Sequence, residues 1–174
     1  NGYGVIGKRV AAAVRQQDDM ILVGVADVSA DWRLRLAARM GFSLYGAAPG
    51  AALAMQRAGL PVAGDLDDLI ASVDVMVDCT PKGIGAANAE VYRRKDKPFI
   101  VQGGEKHEVA GHSFVAESSY AGALGRPATR VVSCNTTSIV RTLTALKQAG
   151  LLRRARGTLL RRATDPWRAT GAAS

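Results

Sequence analysis

Gly2-Tyr3-Gly4-Val5-Ile6-Gly7 is followed directly by Lys8 to Gln17, whose apolar residues recur at helical spacing. A GxGxxG run that opens a helix has a physical use at each glycine. Gly2 permits a tight turn, Gly4 lets the backbone approach a pyrophosphate, and Gly7 allows helix and strand to pack closely. The helix amino end then offers free N–H groups to the anion. A compact apolar run ends at Asp27, 20 residues after Gly7. That is the usual place for the acid that accepts hydrogen bonds from the adenosine ribose. A carboxylate there repels a 2′-phosphate, so NAD is expected ahead of NADP, with NADP possible.

Outward from this turn, short apolar runs alternate with amphipathic stretches. Met20–Ala26, Val73–Cys79, Phe99–Gln102 and Arg130–Cys134 are rich in Val and Ile and bounded by Gly, Pro or Asp. Their near-continuous hydrophobicity predicts parallel strands buried on both faces. Val5–Gln17, Asp31–Met40, Ala51–Ala58, Leu66–Ala71 and Ala86–Lys95 read as helices between them. The alternation predicts an α/β fold with a Rossmann-type doubly wound parallel sheet. A glycine turn of this kind follows a strand that is central in such a sheet, so the chain reads as lacking its first strand. After Cys134 the pattern changes. Thr136–Ala149 is a helix with Gly150 as its C′ stop, and Arg156–Thr164 reads as a strand solvated on one face. A boundary near residue 135 therefore separates a nucleotide-binding domain, 1–134, from the truncated beginning of an α+β catalytic domain, 135–174.

The 174 residues are 48% apolar and 22% charged, which excludes disordered and collagen-like chains. No apolar run approaches the roughly 20 residues of a membrane span, and no charged segment followed by an apolar one marks a signal peptide. Two cysteines, Cys79 and Cys134, provide no disulfide framework and no CxxC metal spacing. Free thiols suit a reducing cytoplasm, and no metal is expected. The net charge of +8 is uneven: residues 141–174 carry eight basic side chains and only Asp165. Such a tail suits a phosphorylated small molecule, a covered interface or nucleic acid. With aromatics at 5% there is no stacking stripe for nucleic acid, and none is expected as a partner.

A second site lies in Val131-Val132-Ser133-Cys134-Asn135-Thr136-Thr137. It puts a cysteine where a buried strand turns into a helix, with Asn135 or Thr136 as the expected cap. Helix amino ends favour thiolates and supply N–H donors to an oxyanion, so Cys134 is a candidate nucleophile for a carbonyl. Cys79, inside Val-Asp-Cys-Thr-Pro, reads as core or pocket wall. Gln102-Gly-Gly-Glu-Lys-His-Glu108 falls at the carboxyl end of a strand, where such folds bind ligands. Its His107, and His112 nearby, read mainly as solvated loop positions. Arg154, Arg161 and Arg162 suit either a phosphate contact or a solvated strand face.

Taken together, Asn-Gly-Tyr-Gly-Val-Ile-Gly-Lys-Arg-Val (1–10), Val-Asp-Cys-Thr-Pro-Lys (77–82), Gln-Gly-Gly-Glu-Lys-His-Glu (102–108) and Ser-Cys-Asn-Thr-Thr (133–137) resemble archaeal-type (type II) phosphorylating glyceraldehyde-3-phosphate dehydrogenase. The likeness continues to about residue 167. It implies a cytoplasmic homotetramer in which Cys134 attacks the aldehyde of glyceraldehyde 3-phosphate. Oxidation of the resulting thiohemiacetal gives a thioester, which inorganic phosphate cleaves to 1,3-bisphosphoglycerate. It further implies Gly4, Val5, Ile6, Gly103 and Arg162 near the cofactor, and Ser133 and Asn135 against the substrate. The general base and much of the phosphate site would lie beyond residue 174. Two alternatives stand beside it: a semialdehyde or acyl-phosphate reductase of the aspartate-semialdehyde dehydrogenase type, and a non-catalytic nucleotide-binding module.

Overall fold

A computed structural model describes residues 1–102 and 104–160. Strands and helices alternate from the start: α1 (Val5–Arg15), β1 (Val25–Asp27), α2 (Trp32–Arg39), β2 (Leu44–Gly46), α3 (Ala51–Arg57), β3 (Val62–Asp65), α4 (Leu66–Ser72), β4 (Met76–Asp78), α5 (Ile84–Arg94) and β5 (Phe99–Val101). A 3₁₀ turn (His107–Val109), β6 (Ser113–Phe114), α6 (Ala116–Ala123), β7 (Ala128–Val131) and α7 (Cys134–Gln148) follow.

The helices start where side chains satisfy their first N–H groups. The Asp31 carboxylate accepts from the Arg33 N–H, and Asp65 with Asp68 closes a capping box on α4. Small or apolar residues at i, i+4 or i+3, i+7 spacing turn inward, as Gly7 and Ala11 do on α1 and Gly85, Ala89 and Tyr92 on α5.

All strand pairs are parallel, in two sheets ordered β1-β2-β3 and β4-β5-β7-β6. Residues 1 and 2 lie between them. The Gly2 N–H donates to Ala26 O at 2.8 Å, and Asn1 O accepts from the Cys79 N–H at 2.8 Å. The lateral sequence is therefore β3, β2, β1, the chain start, then β4, β5 and β7, with the direction of winding reversing at the Gly2 turn. Neighbours Val25 and Ala26 are both buried, yet they join different apolar clusters: Val25 lies with Leu34, Leu44 and Met55, and Ala26 with Ile70, Met76 and Tyr92. Successive strand residues face opposite sides, so both faces of the sheet are covered. This is the doubly wound α/β arrangement expected.

Several boundaries differ from expectation: the Val73–Cys79 run forms a strand only over Met76–Asp78, and the helix expected over Thr136–Ala149 begins at Cys134. In the Met20–Ala26 run the ladder begins only at Val25, opposite Leu44, while Met20 and Ile21 are exposed. In the Arg130–Cys134 run the strand begins earlier, at Ala128 against Phe99, and stops at Val131, because Ser133 turns out to cap α7. Residues 156–160 of the expected Arg156–Thr164 strand form no regular element, and 161–164 lie outside the described residues. Gly150, at φ +70°, ends α7 as expected, and the Leu151 N–H returns to Leu146 O at 2.9 Å.

Candidate functional site

The site gathers at the carboxyl ends of β1, β4, β5 and β7. Gly2 has φ +83°, and a Cβ there would lie 2.9 Å from the Cys79 carbonyl carbon and the Thr80 nitrogen. A Cβ on Gly7 would be driven into the Gly2 carbonyl oxygen. Both positions accept only glycine, one for its dihedral and one for its contact. Gly4 differs: a Cβ there would meet nothing nearer than Arg33 Nη1 at 3.8 Å. Gly4 is also the N-cap of α1 and provides no side-chain cap, so the N–H groups of the first turn face an open cradle of the kind a pyrophosphate fills. Val5 and Ile6 on that turn are 59% and 49% exposed, an apolar surface beside the cradle.

Asp27 closes the turn from the other side. It is 8% exposed. Its Oδ2 accepts the Tyr3 N–H at 2.8 Å, and Oδ1 accepts the Ser29 N–H at 3.0 Å and the Ser29 hydroxyl at 2.9 Å. The acid expected on the ribose is thus also the brace of the glycine turn. A carboxylate has about four acceptor positions, so one is left for a ribose hydroxyl.

Asp78, at the end of β4, is a buried hub that the sequence reading did not single out. It is 0% exposed. Its carboxylate accepts from Tyr92 OH at 2.7 Å, Asn88 Nδ2 at 2.8 Å, the Thr80 N–H at 3.0 Å, Asn1 Nδ2 at 3.2 Å and the Thr80 hydroxyl. A buried charge is tolerable only with such a set of donors. The only trace in the sequence is a charged residue ending an apolar run. Beside it, burial pushes the Cys79 thiol up to about 11, which agrees with the inert pocket-wall role expected for it.

Glu105 is equally hidden, at 4% exposure, and its Oε1 accepts the Gly83 N–H at 2.7 Å. It ties the segment after β5 to the loop that starts α5. Arg130 on β7 donates to the Glu105 carbonyl at 2.5 Å and to Ser113 Oγ at 2.7 Å, and His107 Nδ1 sits 2.9 Å from the same hydroxyl. His107 is therefore held in a hydrogen-bonded loop, which loop polarity alone did not reveal. His112 Nδ1 is buried without a partner among the described residues.

Cys134 is the first residue of α7, and its thiol is exposed. Ser133, rather than Asn135 or Thr136, is the N-cap: its Oγ accepts the Thr136 N–H at 3.2 Å and lies 3.0 Å from Thr136 Oγ1. The reason is geometric, since a helix that begins at the cysteine leaves its cap one residue earlier. Asn135 Oδ1 lies 4.0 Å from Sγ. Ser133, Cys134 and Asn135 are thus brought together, but Cys134 makes no hydrogen bond to the glycine turn among the described residues. Gly103 and Arg162 lie outside the described residues. Among the described residues no cluster of His, Cys, Asp and Glu is placed to hold a metal ion, and no helix is long and apolar enough to cross a membrane.

The sequence profile described as "Dihydrodipicolinate reductase, N-terminus" matches residues 1–109. The chain belongs to that family. Its Rossmann-type character accords with the parallel sheets and the glycine turn. The chain is also 46% identical to glyceraldehyde-3-phosphate dehydrogenase of Methanothermus fervidus, 47% to glyceraldehyde-3-phosphate dehydrogenase 2 of Methanosarcina barkeri, and 48% to the enzyme so named from Thermococcus kodakarensis. Each match covers 95% of this chain and 49% of the relative. The resemblance drawn from four motifs is therefore borne out along nearly the whole chain. The chain spans about half the length of the curated relatives it matches.

Proposed function

We propose that this chain supplies the cofactor site and the nucleophile of a phosphorylating glyceraldehyde-3-phosphate dehydrogenase. The observation that carries the proposal is Cys134, an exposed thiol at the first position of α7 on the same sheet edge as the glycine cradle. Residues 1–134 form the nucleotide-binding domain, and residues from 135 onward begin the catalytic domain.

The open cradle at Gly4 and the remaining acceptor position on Asp27 fit a nicotinamide dinucleotide. Gly4, Val5, Ile6 and Asp27 hold it, with Gly103 and Arg162 in the same role. Asp27 favours NAD over NADP. When bound, the cofactor supplies the oxidising power of the reaction. The Cys134 sulfur adds to the aldehyde carbon of glyceraldehyde 3-phosphate, and the carbonyl oxygen becomes an oxyanion. The free N–H groups of the first turn of α7 face that charge, while Ser133 and Asn135 border the substrate. Oxidation leaves an acyl group on sulfur. Inorganic phosphate then attacks the acyl carbon, the C–S bond breaks, and the thiolate is restored as 1,3-bisphosphoglycerate leaves. The free thiols Cys79 and Cys134 support a cytoplasmic location, and the family likeness supports a homotetramer.

The test follows cofactor reduction by the intact protein with glyceraldehyde 3-phosphate, with and without inorganic phosphate. Phosphate-dependent reduction that disappears in Cys134→Ser is expected. Equal rates without phosphate, or turnover retained by the variant, overturn the reading.

A further inference from the structure

Arg130 sits at a joint between the two halves of the site. Its backbone is fixed on both sides of β7: it pairs with Val101 on β5 and with Ser113 on β6, and its N–H donates to His112 O at 2.9 Å. The half-buried side chain then reaches out of the ladder with two donors. Nε donates to Ser113 Oγ at 2.7 Å, and Nη1 donates to the Glu105 carbonyl at 2.5 Å. No carboxylate pairs with it among the described residues. A guanidinium set against two neutral acceptors is not an ion pair. It is a planar fork that fixes two segments at once.

Glu105 carries the connection onward. Its carbonyl is held by Arg130, and its buried carboxylate accepts the Gly83 N–H at 2.7 Å. Gly83 closes the loop that begins at Cys79 and Thr80, and those two residues lie against the Gly2 turn, where no Cβ fits. In the other direction, β7 ends one residue after Arg130, and Ser133 then caps the helix that Cys134 opens. A continuous series of contacts therefore runs from the cradle wall through Glu105 and Arg130 to the strand that carries the nucleophile.

We infer that Arg130 is a positioning residue for the oxidation step: by clamping Glu105 to β7 it holds the cofactor cradle and Cys134 in a fixed relation. The inference rests on the dehydrogenase reading proposed above. Oxidation requires the carbon bonded to sulfur to lie at near-attack distance from the cofactor. The cradle holds one partner and Cys134 the other. Among the described residues the thiol makes no hydrogen bond to the glycine turn, so their relative placement is set through the segments between them. Arg130 acts through Glu105 and not on the reacting atoms.

The experiment uses the intact protein and Arg130→Gln, which keeps a polar side chain but loses the fork. Its kcat should fall by about tenfold or more, since misplacing reacting groups by about an ångström costs up to about a hundredfold. The KM for glyceraldehyde 3-phosphate and the dissociation constant of NAD should stay close to wild type. Arg130→Lys can make one of the two bonds and should fall between. A second readout needs no turnover. Saturating NAD should slow iodoacetamide labelling of Cys134 in the wild type, because a cofactor held beside the thiol covers it. In Arg130→Gln that slowing should shrink severalfold although NAD is still bound. Asp65→Ala, which weakens the fold at the α4 cap, shows what lost stability does alone, and it should keep both kcat per folded molecule and the NAD effect. Ser113→Ala removes only the acceptor of Nε; it should act in the same sense as Arg130→Gln and more weakly, and it carries the test if Arg130→Gln does not fold. Variants that keep kcat and the NAD effect, or lose activity only in proportion to their unfolded fraction as Asp65→Ala does, overturn the role of Arg130 alone. So does an active wild type whose Cys134 labelling ignores NAD. A wild type that reduces no cofactor with glyceraldehyde 3-phosphate overturns the dehydrogenase reading, and this proposal with it.

Discussion

Two thiols in one chain meet opposite surroundings. Cys79 is wedged against the Gly2 turn, and burial holds its thiol up to about 11, whereas Cys134 is exposed at a helix amino end. Alkylation requires the thiolate. Iodoacetamide at neutral pH should therefore label Cys134 much faster than Cys79, as peptide mass mapping would show; preferential labelling of Cys79 would contradict these environments. Cys134→Ser should abolish turnover and leave NAD affinity intact, because the thiol makes no hydrogen bond to the cradle among the described residues. Asp27 has two tasks, and its removal should register in both. Asp27→Ala deletes the acceptor of the Tyr3 N–H, so both NAD and NADP should bind more weakly. It also removes the charge that repels a 2′-phosphate, so NAD should lose more. Binding isotherms for the two cofactors check this, and an unchanged ratio would deny Asp27 any part in discrimination.

At the scale of elements, caps decide where helices begin, and in α7 the cap also decides what the helix presents. Ser133 Oγ satisfies the Thr136 N–H and so fixes Cys134 at the first position. Ser133→Ala should cost about 1 kcal/mol of stability and also change the alkylation rate of Cys134, since fraying the first turn moves the residue that opens it. Asp65→Ala, which breaks the capping box of α4, should cost about the same and leave the alkylation rate untouched. Urea midpoints and labelling rates for the pair separate the two effects. Equal alkylation in both variants would mean that the cap has no influence on the thiol. The loops at the carboxyl edge are tied similarly, Glu105 to the Gly83 N–H and Arg130 to the Glu105 carbonyl. Three strands thus share one set of fastenings around the site.

For the whole molecule, buried groups that favour their protonated form set the alkaline limit. Folding raises the Cys79 thiol to about 11, and burial raises Tyr3 and Tyr92 as well. A free thiol titrates at about 8.5. Stability is therefore whole below that pH, declines as pH rises through the interval up to about 11, and levels off for this group above it. Denaturation midpoints measured across that range should fall in the wild type and fall less steeply in Cys79→Ala; parallel slopes would remove Cys79 as a cause. The glycine turn, the alternation of strand and helix, the acid at the end of β1 and the cysteine at the turn from β7 into α7 were all legible in the sequence. Each depends on local chemistry, a dihedral only glycine adopts or a spacing that recurs along one chain. The short β2, β3 and β6 were not, because Leu44-Tyr-Gly, Val62-Ala-Gly-Asp and Ser113-Phe lie in no continuous Val- and Ile-rich run of the kind that marks β1, β4, β5 and β7. Tertiary structure alone made Asp78 a hub and placed Glu105 on the Gly83 N–H. Those partnerships join groups on different loops, or set one side chain against several, and only packing of the sheet brings them within hydrogen-bonding distance.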